Sequence, residues 1–480
     1  MNPWLETIYG RSPIPLQNLY VSWYGRRLLR QRFNRDYERW MTLFERSQWW
    51  GPEELGAYQD RALAALVAHC FEAVPFYRRA MEERRLRPAD VTTWRDLHKL
   101  PIVTKDIIRR DPAAFLAREV RPGNMKESPT SGTTGASFTV LWDRGTDVAW
   151  NAVLWRHRSW SDFRFGTRYA SLLGRVVVPL RQLGPPFWRW NRPWNQVLFS
   201  SFHLKEENIG AYVDAMRALE IQALECYPST GYILARFLED RGEVLPLRHV
   251  VSSSETLLPI QREVMERVFR TKVLDYYGMS EAVLFAGECG QGSGYHLHAE
   301  IGIAEVVDER GDPLPPGHHG RLLGSGLVNR AMPLLRYEIG DISALRIGRC
   351  PCGRELPLLD PVTTKAEDIV IAPDGRLISS STLTHPFKPL ARVDKSQIVQ
   401  EATDRLLIRI VPRPGYGEQD TQHLLREMQR RVGSDMRIRV EIVDDIPVGA
   451  SGKYRWVVSN LPLEFRRGRI ENLFGAGAGQ

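Results

Sequence analysis

The chain has 480 residues, of which 43% are hydrophobic and 25% are charged, so it is long enough for two or three domains with sizeable cores. This composition excludes a disordered chain, and no window is apolar for long enough to span a bilayer. The net charge of +8 predicts attraction for anionic ligands such as nucleotide phosphates, anionic cofactors or membrane headgroups, although each arginine run alone fits a solvated face equally well. No nucleic-acid-binding motif accompanies the charge, so nucleic acid is excluded as a partner.

The cysteines and the N-terminus bear on the compartment. Five cysteines, widely spaced except for one Cys-x-Cys pair, argue against a disulfide framework. Residues 1–12 carry acidic and polar side chains and lack the apolar core of a signal peptide. The sequence therefore predicts a cytoplasmic protein without a transmembrane segment.

The first part of the chain, residues 1–118, is predicted to be mainly helical. Apolar residues recur at helical spacing between Leu63 and Val74, and Pro75 ends that segment. The stretch from Tyr20 to Trp40 has the amphipathic composition of a membrane-surface or partner-binding helix, while packing inside the protein is the simpler interpretation.

Short apolar strands then alternate with helices, which is typical of an α/β domain with a partly parallel sheet. The predicted strands lie at residues 140, 170–173, 176–180, 197–200 and 221–226. Residues 295–347 are predicted to be rich in strands, with turns at 311–312 and 315–320.

The last hundred residues have the pattern of a compact α+β unit. Residues 406–411 and 437–443 read as strands, and residues 421–432 as a helix. With a linker near residues 363–368, the sequence predicts a large N-terminal α/β domain of several subdomains, residues 1–366, and a small C-terminal α+β domain, residues 367–480.

A loop rich in Ser, Thr and Gly at residues 128–137 is the first motif that carries chemistry. Gly132 and Gly135 let the backbone present consecutive N–H groups to an anion. The hydroxyls of Thr130, Ser131, Thr133 and Thr134 add donors for phosphate oxygens. The loop is not a Walker A motif, because no Gly-Lys-Ser/Thr follows, and alone it fits a polar surface loop as well as a phosphate site.

Four further motifs follow along the chain. In residues 275–281, an aromatic side chain beside Gly278 can lie flat on a purine, and Glu281 can hold Mg²⁺. Residues 252–256 follow an apolar strand, where open α/β sheets place ligand loops. Asp341 suits two vicinal ribose hydroxyls, and Lys453 is a lone cation in a glycine-flanked loop. Each motif alone also fits a turn or a solvated charge.

Together and in this order, the motifs resemble those of the adenylate-forming superfamily, which includes acyl-CoA synthetases, peptide-synthetase adenylation domains and luciferases. The most similar branch is that of phenylacetate–CoA ligase-like proteins, which also contains proteins of capsular polysaccharide clusters and enzymes that adenylate a deazaflavin coenzyme. The opening pattern of the branch is present as well, in residues 74–77, residues 96–101 and the pair Thr104-Lys105. The resemblance spans about residues 60–460.

The resemblance implies a large adenylation domain with a mobile C-terminal lid, and it implies roles for individual residues. The loop residues Ser131, Gly132, Thr133, Thr134 and Gly135 would cradle the β- and γ-phosphates, Thr133 being catalytic. Other implied ATP-binding residues are Thr130, Ser253, Ser254, Glu255, Thr256, Tyr276, Tyr277, Gly278, Ser280, Tyr337, Asp341 and Lys365. Tyr277 would stack on adenine and Asp341 would bind the ribose. Glu281 would hold Mg²⁺, and Lys453 would bridge ATP and the carboxylate.

The interdomain hinge departs from the family pattern. The family has Gly-Arg followed by Asp or Lys, whereas Lys365 stands here in place of the arginine and Glu367 in place of the hinge residue. Lysine keeps the charge but loses the planar fork of arginine. The segment that follows helps to form the pantetheine tunnel in CoA ligases of the family and is altered too, so the acyl acceptor stays open.

A zinc site is a further prediction. Cys350 and Cys352 form a tight Cys-x-Cys pair, and Cys289 precedes His296 and His298. The branch that the chain resembles often has these positions, and we predict structural zinc at Cys289, His296, Cys350 and Cys352, with His298 as the competing ligand. Four reduced side chains packed under a loop are the alternative.

The resemblance implies a ligase that uses ATP and Mg²⁺ to convert a carboxylic acid, aromatic or hydrophobic, into an acyl-adenylate and pyrophosphate, and then transfers the acyl group to CoA. One alternative acceptor is an amine, a hydroxyl or a carrier-protein thiol, as in capsule or natural-product pathways. A non-catalytic adenylate-binding or membrane-associated scaffold is another alternative. We expect peripheral membrane contact at most, and a dimer as the oligomeric state.

Overall fold

The computed structural model describes residues 8–461, except 122, 124, 131–137, 258, 293, 363–369, 375, 376, 379, 384, 388, 391 and 447–455. The helices are α1 (Ile14–Arg32), α2 (Arg35–Ser47), α3 (Pro52–Ala73), α4 (Pro75–Glu83), α5 (Lys105–Arg110), α6 (Arg144–Ser159), α7 (Glu206–Ala218), α8 (Pro228–Asp240), α9 (Pro259–Phe269), α10 (Ser380–Leu383) and α11 (Glu418–Val432).

The strands form one large sheet and several small ones. They are β1 (Lys126–Pro129), β2 (Thr139–Trp142), β3 (Tyr169–Leu172), β4 (Trp188–Asn191), β5 (Gln196–Phe199), β6 (Ala223–Cys226), β7 (His249–Ser253), β8 (Val273–Gly278), β9 (Phe285–Gly287), β10 (Tyr295–Leu297), β11 (Gly302–Val307), β12 (Gly320–Gly326), β13 (Tyr337–Ser343), β14 (Leu358–Leu359), β15 (Val370–Ile371), β16 (Leu377–Ile378), β17 (Val393–Ala402), β18 (Arg405–Pro412), β19 (Arg437–Ile442) and β20 (Val457–Ser459).

Helices fill the N-terminal part of the chain, as predicted. The apolar residues of α3 that recur at helical spacing, including Leu63 and Val67, are fully buried in the largest core. Pro75 separates α3 from α4 because its ring cannot continue the preceding helix, and it starts α4 instead. Asn34 caps α2 by accepting hydrogen bonds from the backbone N–H groups of Asp36 and Tyr37.

The large sheet has the order β14-β10-β9-β8-β7-β6-β3-β5-β4. Its five central strands, β8, β7, β6, β3 and β5, are parallel, and antiparallel strands complete both edges. The mixed α/β fold with a partly parallel sheet is therefore confirmed. Helices α7, α8 and α9 pack on this sheet around a core that includes Leu224 and Val250.

The strand predicted at residues 176–180 is wrong. This apolar run belongs to the loop between β3 and β4, and its backbone groups bond locally or to the N-terminal segment. The carbonyl of Val177 accepts a hydrogen bond from the hydroxyl of Tyr9 at 2.6 Å, so a neighbouring strand cannot use it. Apolar character predicted the strand, but Pro179 and this long-range hydrogen bond exclude it.

The chain after β15 forms a hydrophobic core of its own. Strands β17 and β18 are antiparallel, β19 lies parallel to β18, and β20 lies parallel to β17. Helix α11 packs on this sheet through Leu424 and Met428. The strands and helix predicted between residues 406 and 443 are present, whereas the predicted boundary at 366/367 lies outside the described residues and stays a prediction. Within the described part of the chain, no helix is long and apolar enough to cross a membrane.

Candidate active site

The candidate site lies at the carboxyl ends of neighbouring parallel strands, where open α/β sheets bind ligands. Strands β7 and β8 run in register, with Ser253 opposite Tyr276, so the two predicted motifs at residues 252–256 and 275–281 emerge side by side. Tyr276 stacks on Phe285 with a centroid distance of 5.1 Å, and burial raises the pKa of its hydroxyl to about 12. Tyr276 is therefore uncharged at neutral pH and lines the site with its ring.

Two crossed hydrogen bonds join the motif at residues 275–281 to β13. The hydroxyl of Tyr277 donates to Oδ2 of Asp341 at 2.6 Å, and the hydroxyl of Tyr337 donates to Oε1 of Glu281 at 2.8 Å. Burial and the adjacent carboxylates raise the pKa of both tyrosines well above the usual value, so both remain donors at neutral pH. Each predicted carboxylate is thus held by a tyrosine of the other motif.

The β1–β2 hairpin places the ends of the predicted phosphate loop beside these carboxylates. Thr130 is fully buried, and its backbone N–H and side-chain Oγ1 bond to the backbone of Phe138, which closes the base of the loop. The ring of Phe138 packs edge-on against Tyr337 at 6.2 Å. The indole N–H of Trp142, on β2, donates to the carbonyl of Ser280 at 2.8 Å. The hairpin is therefore fixed to both carboxylate-bearing segments.

Residues 253–256 have more varied surroundings. Ser254 has a φ of +71°, a conformation that costs a non-glycine residue about 1 kcal/mol. Its hydroxyl lies 3.3 Å from that of Ser253. The carboxylate of Glu255 accepts hydrogen bonds from the backbone N–H and the hydroxyl of Ser229, in the first turn of α8. Glu255 thus holds the N-terminus of α8 at the site, with Thr256 next to it.

Position 278 leaves little room for a side chain. A Cβ atom there would lie 3.3 Å from the rings of both Phe285 and Trp150, which is tighter than ordinary contact. The aromatic side chains therefore approach the backbone directly, as expected for the floor of a ring-binding pocket.

Sequence reasoning missed the position of Lys105. Its ammonium nitrogen lies 4.0 Å from Oε1 of Glu281, and both side chains are largely buried. The first residue of α5 is brought there because Val103 pairs with Tyr337 as a short bridge. The pair Thr104-Lys105 was noticed only as part of the opening pattern, since no local spacing indicates which residue it faces.

Several predicted site residues lie outside the described residues. They are Ser131, Gly132, Thr133, Thr134, Gly135, Lys365 and Lys453. Lys453 belongs to the connection between β19 and β20 in the C-terminal unit. The roles assigned to these residues stay predictions.

The four predicted zinc ligands do come together. One donor atom from each of Cys289, His296, Cys350 and Cys352 lies within 4.8 Å of the others. The sulfurs of Cys289 and Cys350 are 3.4 Å apart, and Sγ of Cys352 lies 3.5 Å from Nε2 of His296. Tetrahedral zinc, with Zn–S bonds of about 2.3 Å, spaces its sulfur ligands by roughly 3.8 Å, so this donor set fits zinc.

His298, the competing ligand, has a different environment. Its Nδ1 accepts a hydrogen bond from Nε of Arg156 at 3.1 Å, and its ring lies 5.0 Å from that of Trp160. The same arginine forms a buried bidentate ion pair with Glu300, at 2.7 and 3.1 Å. His298 therefore supports the ion pair that anchors α6, and the geometry favours His296 in the cluster.

Known proteins resemble this chain over most of its length. Residues 370–460 match the family model of the CapK C-terminal domain. Protein CapK of Staphylococcus aureus is 24% identical over 475 residues, which cover 95% of this chain and 100% of that protein. A phenylacetate-coenzyme A ligase of Thermus thermophilus is 27% identical over 344 residues, which cover 66% of this chain and 72% of that protein.

The fold is also similar to that of a solved structure of 2-hydroxyisobutyryl-CoA ligase, in complex with 2-HIB-AMP and CoA in the thioesterification state. The two structures superpose with a TM-score of 0.55 at 18% sequence identity, and the match covers 86% of this chain and 91% of that chain. The fold is therefore that of the adenylate-forming ligases. In sequence the chain is similar to CapK and the phenylacetate–CoA ligases, the branch of the adenylate-forming superfamily that its motifs resemble.

Proposed function

We propose that this chain activates a carboxylic acid with ATP and Mg²⁺, releases pyrophosphate and transfers the acyl group to CoA. The crossed pairs Tyr277–Asp341 and Tyr337–Glu281 carry the proposal, because they bring two predicted nucleotide-binding carboxylates together beside the hairpin of the phosphate loop. Relatives named as phenylacetate-coenzyme A ligases support this activity and an aromatic acid as substrate.

The chemistry follows from charge. A carboxylate oxygen attacks the α-phosphorus, the bond to the β-phosphate breaks, and pyrophosphate leaves with its electron pair. Glu281 would hold Mg²⁺, which neutralises charge on the phosphates, and Lys105 adds a second positive charge beside that carboxylate. In the second step the thiolate of CoA attacks the acyl carbon and AMP leaves. The N–H groups of the phosphate loop and Lys453 would stabilise the first transition state.

The acceptor is the finer part of the proposal. The altered hinge at Lys365 and Glu367 and the similarity to CapK favour a second candidate, in which an amine, a hydroxyl or a carrier-protein thiol replaces CoA. Both candidates share the adenylation step and differ only in the nucleophile that attacks the acyl-adenylate.

Pyrophosphate exchange into ATP, measured with a panel of aromatic and aliphatic acids, tests the first step. We expect exchange that depends on one class of acid and falls at least about a hundredfold in Lys453→Ala and Glu281→Gln. Glu239→Gln is a matched control, because Glu239 pairs with Arg236 and Arg267 rather than with a residue of the site. Exchange in no acid of the panel would favour the non-catalytic scaffold, and acid-dependent exchange without a CoA thioester would favour the second acceptor class.

We propose further that Cys289, His296, Cys350 and Cys352 bind a structural zinc ion. The observed donor set of three thiols and one imidazole suits zinc without an open position for a substrate. The cluster ties the β9–β10 region to the loop before β14, and therefore supports the edge of the large sheet.

A further inference from the structure

Helix α1 presents its polar side to the protein. Oδ1 of Asn18 accepts a hydrogen bond from the backbone N–H of Trp190 at 2.8 Å, and the hydroxyl of Ser22 donates to the carbonyl of the same residue at 2.9 Å. Oε1 of Gln17 accepts from Nε of the buried Arg189 at 2.6 Å. Polar side chains of α1 thus form hydrogen bonds with polar groups of β4, the edge strand of the large sheet.

This orientation is fixed by close packing. A Cβ atom on Gly25 would lie 1.9 Å from Oδ1 of Asn191, so the helix backbone touches the strand. The indole N–H of Trp194 donates to the carbonyl of Gly25 at 2.8 Å. Rotation of α1 would break these contacts, and the opposite face must therefore remain outward.

The outward face of α1 is apolar in its first half. The exposed fractions are 54% for Leu16, 65% for Leu19, 58% for Trp23 and 48% for Tyr24. These residues follow helical spacing, so their side chains form one contiguous surface. The first half of α1 thus contributes polar side chains to the protein and large apolar ones to the solvent, which is the reverse of the usual arrangement. In its second half, Leu28 and Leu29 pack on a hydrophobic core in the usual way.

Neighbouring segments extend this surface. The loop between β3 and β4 carries Leu183, which is 93% exposed, and the guanidinium of Arg181 in the same loop donates to the carbonyl of Gly10 at 2.9 Å. Ile8 is exposed as well. We call the exposed residues Ile8, Leu16, Leu19, Trp23, Tyr24 and Leu183 the apolar face.

Positive charge surrounds the apolar face. Arg26, Arg27 and Arg30 continue the outward side of α1 after Trp23, and Arg11 precedes the helix. None of these four arginines forms an ion pair within the described residues, and the sequence of α1 contains no acidic residue. Basic residues beside exposed aromatic and aliphatic side chains are the composition of helices that lie in the interface of anionic membranes.

We propose that the apolar face and its arginines dock this protein on an anionic lipid bilayer. The apolar side chains enter the boundary between headgroups and acyl chains, while the arginines contact the lipid phosphates and carboxylates. Charge complementarity selects this occupant, because a second copy of the chain would place the same arginines opposite each other. This surface is independent of the nucleotide site and of the proposed reaction.

Flotation of the full chain with vesicles tests the proposal. We expect binding to phosphatidylcholine vesicles with about 30 mol% phosphatidylserine, little binding to pure phosphatidylcholine, and loss of binding at about 0.5 M salt. Leu19→Ser/Trp23→Ser should weaken binding at least about tenfold, and Arg26→Gln/Arg27→Gln by roughly fivefold per arginine. Leu183→Ser should weaken it too.

Exposed apolar residues elsewhere provide matched controls. Ile347→Ser removes an 81% exposed side chain and Trp94→Ser a 40% exposed one, and both variants should bind vesicles like the natural protein. Equal binding by Leu19→Ser/Trp23→Ser and by Trp94→Ser would overturn the proposal, as would the absence of binding to anionic vesicles. A dimer that this double variant converts to monomers in sedimentation velocity would assign the face to a second copy. Pyrophosphate exchange without vesicles should be unchanged in the variant, which separates this test from that of adenylation.

Discussion

At the scale of single residues, the hydrogen bond from Tyr337 to Glu281 should control the affinity for Mg²⁺. Tyr337→Phe removes the hydroxyl that orients this carboxylate and leaves the ring in place. Loss of such a supporting hydrogen bond commonly weakens metal binding ten- to a hundredfold, so we expect the Mg²⁺ concentration for half-maximal pyrophosphate exchange to rise at least about tenfold.

The crossed geometry supplies the control for this prediction. Tyr277→Phe removes the corresponding bond to Asp341, which is the predicted ribose ligand. This variant should raise the KM for ATP and leave the Mg²⁺ dependence nearly unchanged. If both variants shift the Mg²⁺ requirement equally, Glu281 is not the carboxylate that holds the metal.

Asp275 should make stability depend on pH. Burial, followed by the charge of Glu288, raises its pKa from 3.8 to about 7. The folded state therefore binds this proton more tightly than the unfolded chain does. The protonated carboxyl of Asp275 therefore contributes to the free energy of unfolding, by about 4 kcal/mol at most. This contribution is complete below about pH 4 and is lost as the pH rises through about 7. In urea titrations, Asp275→Asn should lose less stability than the natural protein between about pH 5 and about pH 8. The prediction would be contradicted if the free energy of unfolding changed with pH in the same way in Asp275→Asn and in the natural protein.

The sequence identified the residue types of the site but not their pairing. The motifs containing Tyr277, Glu281 and Asp341 are local patterns, so they could be predicted before the fold was known. The bond between Tyr337 and Glu281 joins residues 56 positions apart, and Lys105 reaches Glu281 only through the bridge formed by Val103. Such contacts depend on the register of distant strands, which no local pattern contains.

At the scale of elements, the β1–β2 hairpin should determine how well the phosphate loop works. Thr130→Val keeps the shape of the side chain but leaves the buried N–H of Phe138 without its side-chain acceptor. We expect the free energy of unfolding to fall by about 1–3 kcal/mol and the KM for ATP to rise. Thr139→Val, on the exposed face of the same hairpin, should change neither quantity. Equal KM values in both variants would show that the base of the loop does not position it.

Helix α1 shows why composition can locate an element without orienting it. Its sequence predicted an amphipathic helix, and packing inside the protein was the simpler interpretation. The second half of the helix does pack on a hydrophobic core, through Leu28 and Leu29. Its first half packs instead through Gln17, Asn18 and Ser22, which form hydrogen bonds with the edge strand β4. The identity of that neighbour depends on a strand more than 150 residues away.

At the scale of the whole molecule, α5 connects the candidate site to the C-terminal unit. Lys105, at the start of α5, lies by Glu281, while the guanidinium of Arg109 in the last turn donates to the carbonyl of Val393 at 2.7 Å. A carboxylate oxygen of Asp106 lies 3.8 Å from the guanidinium of Arg413, the residue that follows β18. The short helix α5 therefore contacts both Glu281 and the unit that carries Lys453.

The cluster of Cys289, His296, Cys350 and Cys352 joins parts of the chain that are more than 50 residues apart, so the proposed zinc ion should stabilise the N-terminal α/β region. Purified protein should contain about one zinc ion per chain by elemental analysis, and a strong chelator should lower the Tm by about 5 °C or more, because the metal binds the folded state preferentially.

Cys350→Ser should lack zinc and have a reduced Tm that the chelator does not change. Cys70→Ala removes a buried thiol outside the cluster, so it should keep both the zinc and the response to the chelator. Protein without zinc, whose Tm a chelator leaves unchanged, would show that the four side chains serve only as packing.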